Sequence, residues 1–260
     1  NGLAIAALTE CGALLDRPDC VQAAVTAAEL LLDLHLVDGR LRRVSRGGAV
    51  GAHAGVLEDY GDVAEGLLAL HQMTAEGRWL DQATRLLDTV LEQFRDGAGG
   101  FYDTADDAEA LVRRPRDPTD NATPSGASAV AGALVTSAAL TGDARHREAA
   151  EAALARVSTI VERHPRFAGW AAAVGEALVA GPLQVAVVGG SADLEHVARM
   201  STSPGAVVVA GAPDTPGVPL LADRPLIGGL PAAYVCRGFV CDLPRTALED
   251  VAAAVQSGPL

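Results

Sequence analysis

The sequence contains no lysine, so all 20 of its basic side chains are arginines, and 33 acidic residues give a net charge of −13. Nucleic-acid-binding proteins need basic patches against the phosphates, and the acidic balance argues against that class. The sequence has no basic amphipathic helix of the kind that binds a membrane surface. It also has no apolar run of the roughly 18 residues that a membrane span needs. We therefore expect neither nucleic acid nor a membrane as a partner.

Aromatic and cysteine residues are also scarce. Aromatics make up 3% of a chain in which 49% of residues are hydrophobic, so the core must consist mainly of Ala, Leu and Val, which favours closely packed helices. Four cysteines in 260 residues are too few for a disulfide scaffold, which predicts a reducing cytoplasmic location. Cys236 and Cys241 form one C-x4-C pair without a second pair of ligands, so we predict a disulfide or buried thiols and no metal.

Three stretches of the sequence resemble one another, and they begin at Asn1, Tyr60 and Ser125. Each has a polar residue and a glycine, an apolar helix, a short polar turn and a second helix, with a period of about 60–66 residues. This pattern predicts three αα-hairpins, with short turns at one end and long connections at the other. Gly-rich and Arg-rich segments in both long connections favour small β-hairpins such as VDGRL.

A fourth inner helix is predicted over 167–181, and the pattern then changes. The runs LQVAVVGG and AVVVAG predict buried parallel strands around a short helix at 193–200, AAYVC predicts a third strand, and a helix closes the chain. The fold class is therefore mainly α, with a partial (α/α)6 toroid at 1–181 and a small α/β segment at 182–260. These strands lack the G-x-G-x-x-G spacing of a nucleotide site, so we expect no such cofactor.

The long connection 97–123 concentrates charged side chains. Asp103, Asp106 and Asp107 are suited to bind sugar hydroxyls or to act as paired carboxylates, and alternatively form a solvated acidic turn. Arg116 and Asp117 follow within an Arg-rich stretch, where arginines recognise carboxylate or phosphate, or form a structural Arg–Asp pair that holds the loop.

Polar residues also mark the predicted starts of the inner helices. Thr123 is expected to cap the third inner helix, which places Ser125 in its first turn, where free N–H groups favour anions or hydroxyls. Glu58 and Asp59 precede the second inner helix, where burial would suit them to general acid or base catalysis, and Asp59 is also a candidate cap.

These residues define the predicted site. We expect the long connections to bring Glu58, Asp59, Asp103, Arg116, Asp117 and Ser125 into one cleft. The candidate catalytic residues are Glu58, Asp59, Asp103 and Asp117. The candidate ligand contacts are Tyr60, Asp106, Asp107, Arg116 and Ser125.

Four motifs in order carry a family resemblance: NGLAIAAL, LEDYG with GLLAL, GGFYDTADDAEALVRRPRDPTDNATPSGAS, and AYVCRGFVCDLP. Together they resemble the C-terminal region of the YyaL-type thioredoxin-domain-containing proteins, which include the spermatogenesis-associated thioredoxin-like protein of animals. The resemblance implies an N-terminal thioredoxin-like domain followed by an (α/α)6 toroid, similar to N-acylglucosamine 2-epimerases and six-hairpin glycosidases. Neither the thioredoxin domain nor about half of the hairpins is in this sequence, which opens inside an apolar helical pattern, so we expect an upstream part.

Two hypotheses for the function follow from this resemblance and from the predicted toroid. The first is an enzyme-like pocket for a sugar or polyol, related to epimerases or glycosidases. The second is a non-catalytic toroid that serves as a scaffold for a thioredoxin-like redox domain. In the absence of neighbouring hairpins, we expect Leu3, Ile5 and Leu8 to form an exposed apolar patch.

Overall fold

In the computed structural model, which describes residues 1–256, the first seven helices alternate between an inner and an outer layer. The inner helices are α1 (Gly2–Leu14), α3 (Leu57–Thr74), α5 (Gly126–Thr141) and α7 (Gly169–Ala180). The outer helices are α2 (Pro18–Leu30), α4 (Gly77–Gln93) and α6 (Ala144–Arg163). Each inner helix packs beside the next one, and each of the first three pairs with the outer helix that follows it. The predicted fold class, helical hairpins of a partial toroid followed by a small α/β segment, is confirmed.

Helix α4 shows why the hairpins form. Leu80, Ala83, Leu87 and Val90 recur at helical spacing and are all buried, as is Leu86 beside them, while the polar residues between them are exposed or half-buried. The turn before α4 places Ala75 in the left-handed region with φ 52°, which ends α3 and reverses the chain. Short turns therefore join the two helices of each hairpin, as the sequence predicts.

Glycines let the inner helices approach closely. A Cβ atom on Gly61 would lie 2.7 Å from the backbone nitrogen of Val130, and one on Gly126 would lie 3.0 Å from that of Glu58. Residue 126 lies beside residue 58, and residue 130 lies beside residue 61. Because both pairs advance along the chain in the same direction, α3 and α5 run parallel. The polar-residue–Gly repeat thus serves helix packing, since only glycine allows backbones this near.

The expected apolar patch on α1 is wrong at its centre. Ile5 is fully buried, because its Cβ lies 3.0 Å from the place that a Cβ on Gly66 would occupy, and Leu8 packs partly against the same core. Helix α3 therefore covers this face of α1.

The two long connections differ. The first contains two short hairpins, β1 (Leu36–Val37) with β2 (Arg40–Leu41) and β3 (Ser45–Arg46) with β4 (Ala49–Val50). The predicted VDGRL hairpin is confirmed, and positive φ angles of 51° and 74° at its Asp-Gly turn are those of a type I′ turn. The second connection has only an isolated bridge between Arg95 and Phe101, so the hairpin expected there is wrong.

Asp120 anchors the end of the second connection. Its buried carboxylate accepts the N–H of Ser125 through Oδ1 (2.9 Å) and those of Trp170 (2.9 Å) and Ala171 (3.1 Å) through Oδ2. Its own N–H donates to the carbonyl of Phe167 (2.8 Å). One side chain thus joins the loop to the starts of α5 and α7, where helices leave N–H groups unpaired.

The cap of α5 differs from the prediction. Ser125, not Thr123, is the capping residue, and its Oγ accepts the N–H of Ser128 (3.2 Å). The helix begins two residues later than expected because the carboxylate of Asp120 holds the N–H of Ser125 outside it.

The α/β segment is one four-stranded sheet with order β6–β5–β7–β8. Strands β5 (Leu183–Val188) and β6 (Val207–Gly211) are parallel and joined through α8 (Ala192–Arg199), as predicted. Strands β7 (Ala232–Arg237) and β8 (Val240–Cys241) are antiparallel, and α9 (Leu248–Gln256) follows. Residues 257–260 of the predicted 182–260 segment lie outside the described residues.

The sheet lies between two apolar layers. Ala186, Val188 and Val209 join the core of the helical hairpins, while Val185 and Val208 pack with the residues of α8 and α9 on the opposite face. Because the helices and the sheet share a core, a domain division at residue 181 stays a prediction. No helix within residues 1–256 combines the length and the apolar character needed to cross a bilayer.

Replacing Gly61 with alanine should destabilise the protein. The added Cβ would meet the backbone of α5 at 2.7 Å, so the helices must separate, at a cost of about 1–3 kcal/mol in the free energy of unfolding. Urea unfolding measures this. Gly175→Ala in α7 is the matched control, because its Cβ would meet nothing within 4 Å and it should be neutral or stabilising. Equal behaviour of the two variants would contradict the packing argument.

Asp120→Ala should lower the free energy of unfolding by about 1–3 kcal/mol, because three N–H groups, those of Ser125, Trp170 and Ala171, lose their hydrogen-bond acceptor. Urea unfolding again gives the value, and hydrogen exchange at Ser125, Trp170 and Ala171 should accelerate. Asp106→Ala removes an exposed carboxylate from the same loop and should change neither measurement. Unchanged exchange at the three amides in Asp120→Ala would refute the anchoring role.

Candidate functional site

The predicted catalytic carboxylates meet where α3 begins. The N–H of Leu57 donates to the backbone oxygen of Asp103 (2.9 Å), and the N–H of Asp117 donates to the Asp103 carboxylate (3.0 Å). Burial raises the pKa of Asp103, and the negative charges of Asp117 and Glu58 raise it further. The structure therefore brings Glu58, Asp103 and Asp117 together at the start of α3.

Glu58 and Asp59 are both engaged by Arg43. Glu58 forms an ion pair with the Arg43 guanidinium, whose Nε lies 3.3 Å from Oδ2 of Asp59. The same Asp59 oxygen accepts the N–H of Val56 (2.8 Å), the residue directly before α3, so the capping role of Asp59 is confirmed. The expectation that Glu58 and Asp59 precede this helix is wrong, because α3 begins at Leu57 and both residues lie in its first turn. Burial is the main cause that raises the pKa of Asp59.

Three other predicted contacts lie elsewhere. Tyr60 is 1% exposed, and its hydroxyl accepts from the N–H of Leu41 and from Nε of Arg40, both at 3.1 Å. Arg40 also pairs with Asp107 (Nη2–Oδ1 2.8 Å), while Asp106 is exposed. The structure thus places Tyr60 in the core and Asp107 in an ion pair, and neither residue lines the cavities beside α3.

A structural Arg–Asp pair does hold the loop, and its members are Arg116 and Asp96. The Asp96 carboxylate also accepts the N–H groups of Ala98 (2.8 Å) and Gly100 (2.9 Å). Burial alone would raise the pKa of Asp96, but these two N–H groups and Arg116 lower it. Asp117 instead accepts from the N–H (3.0 Å) and hydroxyl (2.6 Å) of Thr119.

The inner face of the helical layer carries acidic residues that the sequence analysis missed. Asp62 and Glu65 follow Glu58 on α3 at spacings of four and three residues, which places all three on one side of the helix. Two acidic residues at this spacing inside an otherwise apolar inner helix indicate a candidate site, because burying a charged side chain without a partner is costly.

A cavity of about 220 Å³ opens on this face. We name it the inner-face cavity, and its lining includes Leu3, Asp62, Glu65, Thr136, Trp170 and Val174. Glu65 and Thr136 also line an adjoining cavity of about 340 Å³, to which Glu10 and Arg199 contribute. Glu65 therefore stands at the junction of two cavities.

The two carboxylates of the inner-face cavity hold protons more tightly than usual. Burial raises the pKa of Glu65 to about 7, with a further contribution from the charge of Glu10. Burial and the charge of Glu58 raise the pKa of Asp62 to about 6. Oε2 of Glu65 and Oδ1 of Asp62 are buried without a hydrogen-bond partner among residues 1–256, and only the Thr136 hydroxyl approaches the other Glu65 oxygen, at 3.5 Å. At neutral pH Glu65 is thus able both to donate and to accept a proton.

Trp170 supplies an aromatic surface to the same cavity. Its side chain is 42% exposed although the residue lies in the first turn of α7. Gly132 lies beside the indole, since a Cβ there would be in ordinary van der Waals contact with the ring nitrogen at 3.5 Å. The carboxylate of Asp120 fixes the backbone N–H of Trp170, so the long loop positions this residue.

Within residues 1–256, no group of three or more His, Cys, Asp and Glu side chains is placed to hold a metal ion.

Comparison with known proteins gives relatives of limited overlap. No protein-family model matches the chain. Spermatogenesis-associated protein 20 of Rattus norvegicus and of Homo sapiens are both 35% identical to it over an alignment of 154 residues that covers 55% of this chain. The matched region spans 19% of the rat protein and 20% of the human protein, about a fifth of each.

Among solved structures, the cellobiose 2-epimerase of Spirochaeta thermophila DSM 6192 is similar with a TM-score of 0.48 and 21% identity. The match covers 63% of this chain and 43% of that one. The chain is thus similar to spermatogenesis-associated protein 20 over about half of its own length, which confirms the resemblance that its motifs indicated.

Proposed function

We propose that the inner-face cavity binds a carbohydrate or another polyhydroxylated ligand. One observation carries this proposal: an exposed indole, Trp170, and two carboxylates with unpartnered buried oxygens, Asp62 and Glu65, line the same cavity.

The chemistry of a sugar ring matches these groups. One face of the ring presents C–H groups, which pack on an aromatic surface such as Trp170. Its rim presents hydroxyl groups, which donate to carboxylates such as Asp62 and Glu65 in charge-assisted hydrogen bonds. Because a buried oxygen without a donor is costly, a bound hydroxyl would relieve that cost in both side chains.

Glu65 is the residue on which we place proton transfer. Sugar epimerases and glycosidases both move protons, and a carboxyl group whose pKa is near the working pH does so most effectively. Burial gives Glu65 such a pKa, about 7. Asp62, with a pKa of about 6, is ionised more fully at neutral pH and is the better hydrogen-bond acceptor.

The carboxylates predicted from the sequence remain part of the proposal. Glu58 lies one helical turn from Asp62 on the same side of α3. Glu58, Asp59, Asp103 and Asp117 would then contact the outer end of a ligand longer than one ring, beside Ser125 and Arg116.

The alternative is a scaffold role for this helical layer beside a thioredoxin-like domain. This scaffold role and the remaining hairpins of the toroid rest on the family resemblance alone, and the proposed cytoplasmic location rests on the scarcity of cysteine. A thioredoxin-like partner that binds the chain while no carbohydrate does so would favour the alternative.

Carbohydrate binding should depend on Trp170 and Glu65. We expect glucose, N-acetylglucosamine, cellobiose or sorbitol to change the fluorescence of Trp170 saturably, since the second tryptophan, Trp79, is buried. Trp170→Ala and Glu65→Gln should each weaken the affinity about tenfold or more, as measured by calorimetry.

Two control variants match these changes. Phe167→Ala removes an aromatic side chain with 43% exposure, and Glu176→Gln removes an exposed carboxylate of α7; neither lines the cavity. Both should bind as the unmodified chain does. A ligand that binds equally well to Trp170→Ala would place the site elsewhere, and no binding of any of the four compounds would refute the proposal.

Stability should fall as the pH rises through the pKa of Glu65. The folded state holds this proton up to a pKa of about 7, whereas the unfolded chain releases it near the ordinary value of 4.5, so ionisation costs folding free energy between these values. Urea unfolding from about pH 5 to pH 8 should show a smaller loss of stability in Glu65→Gln than in the unmodified chain. Parallel profiles for the two proteins would show that Glu65 titrates normally. Glu176→Gln should follow the unmodified profile.

A further inference from the structure

Cys236 and Cys241 form a disulfide across two neighbouring strands. They are directly opposite each other in the antiparallel pair of β7 and β8. The strands are already joined by a tight turn in which Gly238 and Phe239 both have positive φ, 55° and 63°. The disulfide therefore closes a short hairpin that the turn and the strand pairing close without it, and it connects no distant part of the fold.

Arg224 lies against both sulfur atoms. Its Nη2 is 3.5 Å from Sγ of Cys236 and 3.4 Å from Sγ of Cys241. The residue is 9% exposed, and its Nε is buried without a hydrogen-bond partner. Its other contacts are the carbonyl oxygen of Ala222 (2.9 Å) and the ring of Tyr234, whose centroid is 5.9 Å away.

This guanidinium lacks a carboxylate partner among the described residues. None of the ion pairs found within residues 1–256 includes Arg224, and the neighbouring Asp223 acts on it through charge alone. A buried cation without an anion is costly, and a neutral disulfide does not offset that cost. Reduction of the disulfide would place a thiolate directly beside the guanidinium, and cations of this kind stabilise thiolates.

The two sulfur atoms differ in access. Cys241 lies on the exposed edge strand β8, whereas Cys236 is 2% exposed in β7. An external thiolate therefore reaches Cys241, and the sulfur that leaves is that of Cys236, next to Arg224. A leaving thiolate of lower basicity departs faster in thiol–disulfide exchange.

We propose that Cys236–Cys241 is a thiol–disulfide exchange site for an external dithiol, with Arg224 stabilising the Cys236 thiolate. One thiolate of the dithiol attacks Sγ of Cys241, the Cys236–Cys241 bond breaks, and the electron pair passes to Cys236. The second thiolate of the dithiol then attacks the first sulfur of the dithiol, which is bonded to Cys241 in the mixed disulfide, and the Cys241 thiolate is released. The protein gains two electrons, and the dithiol, the reductant, becomes a disulfide.

The test uses the full chain with the two other cysteines replaced, Cys11→Ser and Cys20→Ser. Dithiothreitol is the probe, and alkylation followed by mass spectrometry counts the opened thiols over time. We expect complete opening in the folded protein at neutral pH. Arg224→Met should slow it about threefold or more, because the pKa of the leaving thiol rises by about one unit or more.

Two variants separate charge from structure. Arg224→Lys retains a cation and should open nearly as fast as the unmodified site. Arg245→Met removes an arginine that pairs with Asp242 near the same strands without touching the sulfurs, and it should have no effect. Equal slowing by Arg224→Lys and Arg224→Met would overturn the proposal, as would a disulfide that resists excess dithiothreitol while the protein stays folded.

A second measurement needs no change at Arg224. Ultraviolet absorbance of the reduced chain follows thiolate formation with pH, and we expect the first thiolate below the ordinary cysteine pKa of about 8.5. Titration of both thiols at or above that value would overturn the proposal even if Arg224→Met failed to fold.

Discussion

The carboxylate of Asp120 is the contact on which the candidate site depends most. Helix starts leave N–H groups without partners, and here one buried side chain serves two of them, at α5 and α7. Because the same N–H bonds fix the first turn of α7, they also fix where the indole of Trp170 stands. The loop 97–123 therefore contributes to the inner-face cavity by positioning Trp170 through Asp120, although no residue of the loop lines that cavity.

Close packing of the inner helices makes the second contribution. With few aromatic side chains available, the helices gain contact by bringing backbones together at Gly61 and Gly126. This arrangement buries one side of α3 completely and leaves the side with Asp62 and Glu65 facing a cavity. The raised pKa values of both groups follow from that partial burial, so the packing and the chemistry of the site have a common origin.

The sequence was sufficient to predict the hairpins, the parallel strand pair and the hairpin at VDGRL, because periodicity and turn residues are local signals. It also indicated that Asp59 caps α3. It did not reveal the role of Asp120, whose partners Trp170 and Ala171 are about fifty residues away in the chain. Asp62 and Glu65 are detectable as acidic residues in an otherwise apolar helix, but charged residues one turn apart normally indicate a solvated face. The positions of the neighbouring helices show that this face lines a cavity.

Glu65 and Arg224 are among the ionisable groups that the described residues leave without a full set of partners. Glu65 lacks a donor for one oxygen, and Arg224 lacks an anion. A hydrophobic side chain at either position would avoid the desolvation cost, which for buried charges commonly exceeds what they return in stability. The cost is offset only when a missing partner is present: a hydroxyl or proton in one case and a thiolate in the other. Stability alone therefore does not account for either residue, and this is the physical reason to look for function at these two places rather than among the many arginine–carboxylate pairs on the surface, which already satisfy each other.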